Sequence, residues 1–160
     1  MAVVVSGTPS ERVKELGLTL PPPPSPAGTY SPVVIDGLQA WVSGQIVLKE
    51  GVILHPGLVD RDVSPDTAKE VARHASLQAL SALAAVLGSL DRVRRIIRVA
   101  VYVASVPTFT RQHEVGNGAT EVLTQIFGEA GRPARVAMGV AALPLNAPIE
   151  VEMVVALTEA

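Results

Sequence analysis

The chain contains no cysteine, which excludes disulfides and all thiolate chemistry and fits a cytoplasmic location. It has no basic surplus: 13 Lys and Arg stand against 15 Asp and Glu, for a net charge of -2. A nucleic-acid-binding domain usually carries a basic excess, so this balance argues against such a partner. It has no long apolar run near its start. In "MAVVVSGTPSERVKE" there is no basic region, and Ala2 to Val5 is too short for a signal peptide or a membrane span. The three histidines, His55, His74 and His113, are far apart and show no metal-ligand spacing, so no metal is expected. Gly116 and Gly118 lack the glycine-rich context of a phosphate loop.

What the chain does have is apolar surface. It is 48% hydrophobic with a mean hydropathy of +0.37. At 160 residues it is long enough for one domain with a sizeable core. With no spanning segment, the surplus points to burial between subunits, since obligate interfaces resemble a core cut in half.

The pattern along the chain predicts an α+β fold. A short helix is expected at Ser10 to Leu16, then a stiff polyproline lead-in at "LPPPPSPAG", Leu20 to Gly28. The expected division is an extension over 1–25 and a domain over 26–160. Val33 to Ile35 and Leu38 to Val42 read as a hairpin about the turn pair Asp36-Gly37. A second turn at Lys49 to Gly51 leads into extended Val52 to Leu54. Ser64, Pro65 and Asp66 are the cap, first position and favourable charge of a long helix that Gly88 ends. "RVRRIIRVAVYVASV", Arg92 to Val106, is β-branched and reads as a strand, and its dispersed arginines read as solvated or paired. His113 to Glu129 reads as a second helix. Both helices should cover one face of a mixed sheet.

The last stretch, "PARVAMGVAALPLNAPIEVEMVVAL", reads as a closing hairpin. Alternation groups Val136, Met138 and Val140 against Arg135, Ala137, Gly139 and Ala141. In the final strand Ile149, Val151, Met153 and Val155 oppose Glu150, Glu152 and Val154. If the larger apolar sets meet the helices, Arg135 and both acids lie on the helix-free face, where small neighbours leave room for a subunit or ligand. Arg and Glu there are ordinarily just solvated. A turn near Leu145-Asn146 would leave Arg135 and Glu150 roughly 17 Å apart along the hairpin, so they could share a site only through a neighbouring subunit.

That C-terminal stretch resembles the signature of the RidA family, the YjgF-type reactive-intermediate deaminases also labelled endoribonuclease L-PSP. An arginine opens a strand, "LP" follows, and an acid lies in the next strand. "VSGQI", Val42 to Ile46, is similar to the family's Gly-Gln strand end, and "GTYSP", Gly28 to Pro32, to its N-terminal tyrosine element. The likeness spans about Pro26 to Ala156. It implies a chorismate-mutase-like subunit in a homotrimeric barrel, with sites in the clefts between subunits and no cofactor. It also implies that Arg135 grips a substrate carboxylate, that Glu150 holds or activates water, and that Tyr30, Ser43 and Gly44 line the pocket. Asn117 is the best match for the family's helix asparagine, though one residue more than usual separates it from Arg135. Ala137 stands where a cysteine is often found, and the N-terminal extension is additional.

The implied reaction is hydrolysis of 2-imino acids, and the enamines in balance with them, to 2-keto acids and ammonia. A non-catalytic trimer that binds small carboxylates or acts as a chaperone is the alternative. A ribonuclease ranks third, lacking a histidine pair and a basic surface. The apolar excess and the resemblance together predict a homotrimer: light scattering at micromolar protein should give about three times 16.7 kDa. A clean monomer would remove both the assembly and the interfacial site.

Overall fold

The computed structural model describes residues 6–25 and 28–159; the Ala2–Val5 run and Pro26 lie outside the described residues. Among the described residues, seven strands and three α-helices follow in the order α1 (Pro9–Glu15), β1 (Val33–Asp36), β2 (Gln39–Gln45), β3 (Leu48–Lys49), β4 (Val52–Ile53), α2 (Pro65–Leu87), β5 (Val93–Ala104), α3 (Gln112–Phe127), β6 (Ala134–Val140) and β7 (Ile149–Leu157).

The predicted punctuation of α2 and of the β1–β2 turn holds. The α1 cap is Thr8: its hydroxyl accepts from the Glu11 N–H at 3.3 Å and its own N–H donates to Glu11 Oε2 at 2.8 Å. The Ser64 hydroxyl accepts from the Thr67 N–H, Pro65 opens α2, and Gly88 closes it at φ 80°. Asp36 and Gln39 face each other across the β1–β2 turn, where Gly37 has φ 56°.

The main sheet runs β1-β2-β7-β5-β6. β6 is parallel to β5, and every other neighbour pair is antiparallel. This corrects the expected closing hairpin: β6 and β7 do not touch but flank β5 on either side. The chain leaves β5, returns through α3 and lays β6 parallel to it, as a strand–helix–strand crossover requires. The connection over 141–148 then passes the end of β5, with Leu145 and Asn146 both left-handed at φ 55° and 63°. Two apolar strands and a short Pro-Asn connection read alike in either arrangement.

Helices α2 and α3 cover one face. Ile149, Val151, Met153, Val155 and Leu157 of β7 meet Leu80, Leu83, Leu123 and Ile126 there, all buried. Each such side chain contributes roughly 1.5–3 kcal/mol of burial. The proline run is not a free lead-in. Gln78 Nε2 donates to the Pro22 carbonyl at 2.9 Å and Ser81 Oγ to that of Pro21 at 2.5 Å, so the run is strapped along α2. Helix α1 is tied down by the Ser10 N–H donating to Asp91 Oδ1 at 2.8 Å.

Two glycines set how closely α3 approaches. A Cβ on Gly116 would sit 3.2 Å from that of Ala137, and one on Gly118 would overlap the Lys69 carbonyl of α2. Gly118→Ala should therefore destabilise the fold by about 1–3 kcal/mol through overpacking, outweighing the ~1 kcal/mol that alanine gains over glycine in a helix. Urea unfolding should show a lower midpoint at constant slope. An unchanged midpoint would mean that the helices are not this close.

Candidate active site

The structure places Arg135 on the helix side of β6, not on the helix-free face. The expectation that larger side chains meet the helices holds for β7 and inverts for β6. Because α3 descends directly onto β6, the face beneath it has to be small. Ala137 and Gly139 lie under α3, while Met138 is 41% exposed on the far face. The room those small residues leave is filled by α3.

The Arg135 side chain runs against α3. Its Nη1 donates to Asn117 Oδ1 at 2.9 Å and to Thr120 Oγ1 at 3.1 Å, and its Nη2 donates to the His113 carbonyl at 3.2 Å. All three acceptors are neutral. A guanidinium has five N–H groups. The Nε–H and one Nη2 hydrogen therefore stay available, and no carboxylate among the described residues forms an ion pair with Arg135. Such a pair of donors matches a carboxylate bidentately. Asn117 thus joins Arg135 despite the longer spacing. Thr120 was missed by sequence reasoning. The available signal was its i,i+3 position from Asn117, which puts both on one helix face.

A second group assembles elsewhere. Between Val42 and Gln45 the pairing of β2 with β7 shifts register, and the irregularity holds Ser43 and Gly44. The Glu150 carboxylate occupies the space that a Cβ on Gly44 would need. Ser43 donates through Oγ to the Ser31 carbonyl at 2.7 Å and through its N–H to that of Pro32 at 2.9 Å, which anchors the segment bearing the exposed Tyr30. Burial, and then the like charge of Glu152, raise the proton affinity of the Glu150 carboxyl above the ordinary range. Glu152 is itself paired with Arg98 Nη1 at 2.8 Å. Burial followed by Glu152, its hydrogen-bond partner, likewise raises the Tyr102 phenol.

These groups do not meet within one chain. Arg135 is in register with Val99 and Met153, and Glu150 with Tyr102 and Met138. Two strand spacings, about 10 Å, separate β6 from β7, a further ~10 Å lies along the strands, and the side chains leave opposite faces. The separation expected from a hairpin therefore survives for a different reason. The remaining sequence candidates are accounted for locally. His74 Nδ1 lies 2.8 Å from the Glu70 carbonyl, Arg95 donates to the Glu129 carbonyl, and His55 borders a separate loop cavity beside Asp62 and Ser64.

The helix-free face is partly apolar. Trp41 and Val34 are each 52% exposed, and Trp41 pairs across with Val154, which is 6% exposed. No helix among the described residues is long and apolar enough to cross a membrane.

The family model described as "YjgF/chorismate_mutase-like, putative endoribonuclease" matches residues 10–157. Protein TCP17 of Trypanosoma cruzi is 39% identical over 158 residues, 98% of this chain and 99% of that protein. The solved structure of the protein Atu1372 from Agrobacterium tumefaciens is 40% identical with a TM-score of 0.86, covering 94% of each chain. A Shewanella oneidensis structure, titled a putative endoribonuclease, is 30% identical with a TM-score of 0.90, covering 94% of this chain and 100% of that one. With its arginine-opened β6, its acid-bearing β7 and its chorismate-mutase-like sheet, the chain belongs to the RidA or YjgF family.

Proposed function

We propose that this protein hydrolyses 2-imino acids and their enamine tautomers to 2-keto acids and ammonia. The site is a cleft between subunits of a homotrimer, where Arg135 of one subunit faces Glu150 of another. The observation that carries this reading is the state of Arg135: a guanidinium oriented by three neutral acceptors, with two donors free and no acid to neutralise it among the described residues. Such a charge is built to receive an anion, and its fork geometry favours a carboxylate.

In this reading Arg135 holds the substrate carboxylate, with Asn117 and Thr120 fixing its plane and Ala137 beside it. Tyr30, Ser43 and Gly44 border the water next to Glu150. The water oxygen bonds to the imine carbon while its proton passes to Glu150 and the C=N π pair moves to nitrogen. Glu150 then returns the proton to nitrogen. The hydroxyl proton then passes by way of Glu150 to the amino nitrogen, the C–N bond breaks as the C=O bond forms, and ammonia leaves the keto acid. Positioning at the carboxylate and proton transfer at the water are separate contributions, and the atoms balance without a further reactant. A carboxylate-binding trimer would use Arg135 but leave Glu150, half-buried and hard to ionise, without a task. Endoribonuclease, the word in the family description, finds less support in a chain with net charge -2.

Semicarbazone trapping of 2-iminopropanoate and 2-iminobutanoate, generated by an amino-acid oxidase, tests the activity directly. If the intermediate disappears no faster with the protein than without it, the deaminase reading is lost. Arg135→Ala should lower kcat/KM a hundredfold or more, about 3 kcal/mol for a charge-assisted contact, with the fold intact. Arg135→Lys should fare nearly as badly, because an ammonium cannot reproduce the fork. Thr120→Val should raise KM more than it lowers kcat, and Thr120→Ser should restore it.

The pH profile tests Glu150. A base must be deprotonated, so activity should fall on acidification through a pKa lying above the ordinary glutamate range. Glu152→Gln removes the like charge and frees Arg98, so the acid limb should move to lower pH, while burial of Glu150 remains. Glu150→Gln should lose ~10²–10⁴-fold in turnover yet still bind a 2-keto acid. An acid limb that ignores Glu152→Gln would exclude Glu150 as the titrating base.

A further inference from the structure

We propose that the cavity between Arg135 and Arg132 is a subsite for a second anionic group, and that the preferred substrate is a 2-imino diacid of the aspartate or glutamate type. This deepens the reading of Arg135 given above and rests on it.

A cavity of about 260 Å³ opens beside Arg135 and is lined by Thr120, Thr124, Arg132, Pro133 and Arg135. Its walls are two arginines, two threonines and one proline. The threonine methyls, the arginine stems and Pro133 give the hollow apolar surface too, so an alkyl side chain would fit there but would leave the Arg132 charge unused. An anionic side chain would find the Arg132 cation beside that of Arg135 within one hollow; the Thr120 and Thr124 hydroxyls donate to the Gly116 and Thr120 carbonyls of α3.

Arg132 can turn to such a ligand at low cost. The salt bridge it makes is to Glu129 at 3.6 Å, between side chains that are 58% and 47% exposed. An exposed pair of that kind is worth little. The other charges nearby do not oppose an anion. The hollow continues past Thr120 and Thr124 to Glu121 and Gln125. The Glu121 carboxylate is neutralised by Lys69 Nζ at 2.9 Å, and Gln125 Oε1 accepts from Arg73 at 3.2 Å.

The backbone explains how both arginines reach one cavity. Ideal alternation would send residues three apart to opposite faces. Arg132, however, precedes β6 and leaves the 3₁₀ turn Gly128–Gly131 with φ -90° and ψ 101°. The strand begins only at Ala134, so its alternation does not bind Arg132. Two long side chains roughly 10 Å apart at their Cα atoms can clamp a short diacid between them. Arg135 takes the carboxylate beside the imine and Arg132 takes the other.

The test compares kcat/KM, in the semicarbazone assay, for imines generated from aspartate and glutamate with those from alanine and leucine. Alongside it, calorimetry compares 2-oxoglutarate with pyruvate, which needs no turnover. The wild type should favour the diacid at least about tenfold in both, the scale of one charge-assisted contact. Arg132→Gln should bring the ratio near one, and Arg132→Glu should invert it. Turnover of imines with no diacid preference, unchanged by either Arg132 variant, would overturn the subsite and leave the deaminase reading standing. Absent turnover with a 2-oxoglutarate preference that Arg132→Gln abolishes would uphold the subsite and overturn the deaminase reading. Neither turnover nor preference would overturn both.

Discussion

The close descent of α3 onto edge strand β6 and against α2 is the constraint on which the rest depends. Gly118 lets α3 approach the Lys69 carbonyl, and Gly116 meets Ala137. At that distance Asn117, Thr120 and the His113 carbonyl all reach the Arg135 guanidinium. A helix held further off by ordinary side chains would leave the arginine free to rotate, and a rotating fork loses the orientation that makes it selective for a carboxylate. The small residues of α3 and β6 therefore serve packing and chemistry together.

On the opposite face the same economy of space operates between Gly44 and Glu150. The missing Cβ lets a carboxylate settle against the irregular end of β2, where it is half-buried and faces the like charge of Glu152. Both effects disfavour ionisation. The pairing of Glu152 with Arg98 moderates the repulsion without removing it. Among the described residues, the outcome is one cation with no anion to neutralise it and one carboxyl held short of easy ionisation, on opposite faces of a single sheet. A proposed cleft between subunits resolves both imbalances at once, because each group supplies what the other lacks.

The N-terminal segment belongs to this frame structurally. Helix α1 is tied to Asp91, and the polyproline run uses its own carbonyls as acceptors for Gln78 and Ser81 of α2. Proline has no N–H to satisfy, so a polyproline strap lies on a helix leaving only carbonyls to pair. The family match begins at residue 10, inside α1.

Local chemistry made much of this legible from the sequence. Caps, turn pairs and β-branched runs located nearly every element, since they act within a few residues. The motif formed by Arg135, the Leu143-Pro144 pair and Glu150 pointed to the family, and Asn117 lies against Arg135 despite its displaced spacing. What the sequence could not decide was which strands are neighbours and which face of β6 meets a helix. Two apolar strands joined by a short connection have the same pattern whether they pair directly or flank a third. Alternation shows that Arg135 and Ala137 share a face but not what covers it, and here the small face is the covered one. Thr120, the free fork of Arg135 and the shared cavity with Arg132 depend on where α3 and the turn before β6 settle. The sequence determined the parts and their local geometry; long-range packing alone decided which of them face one another.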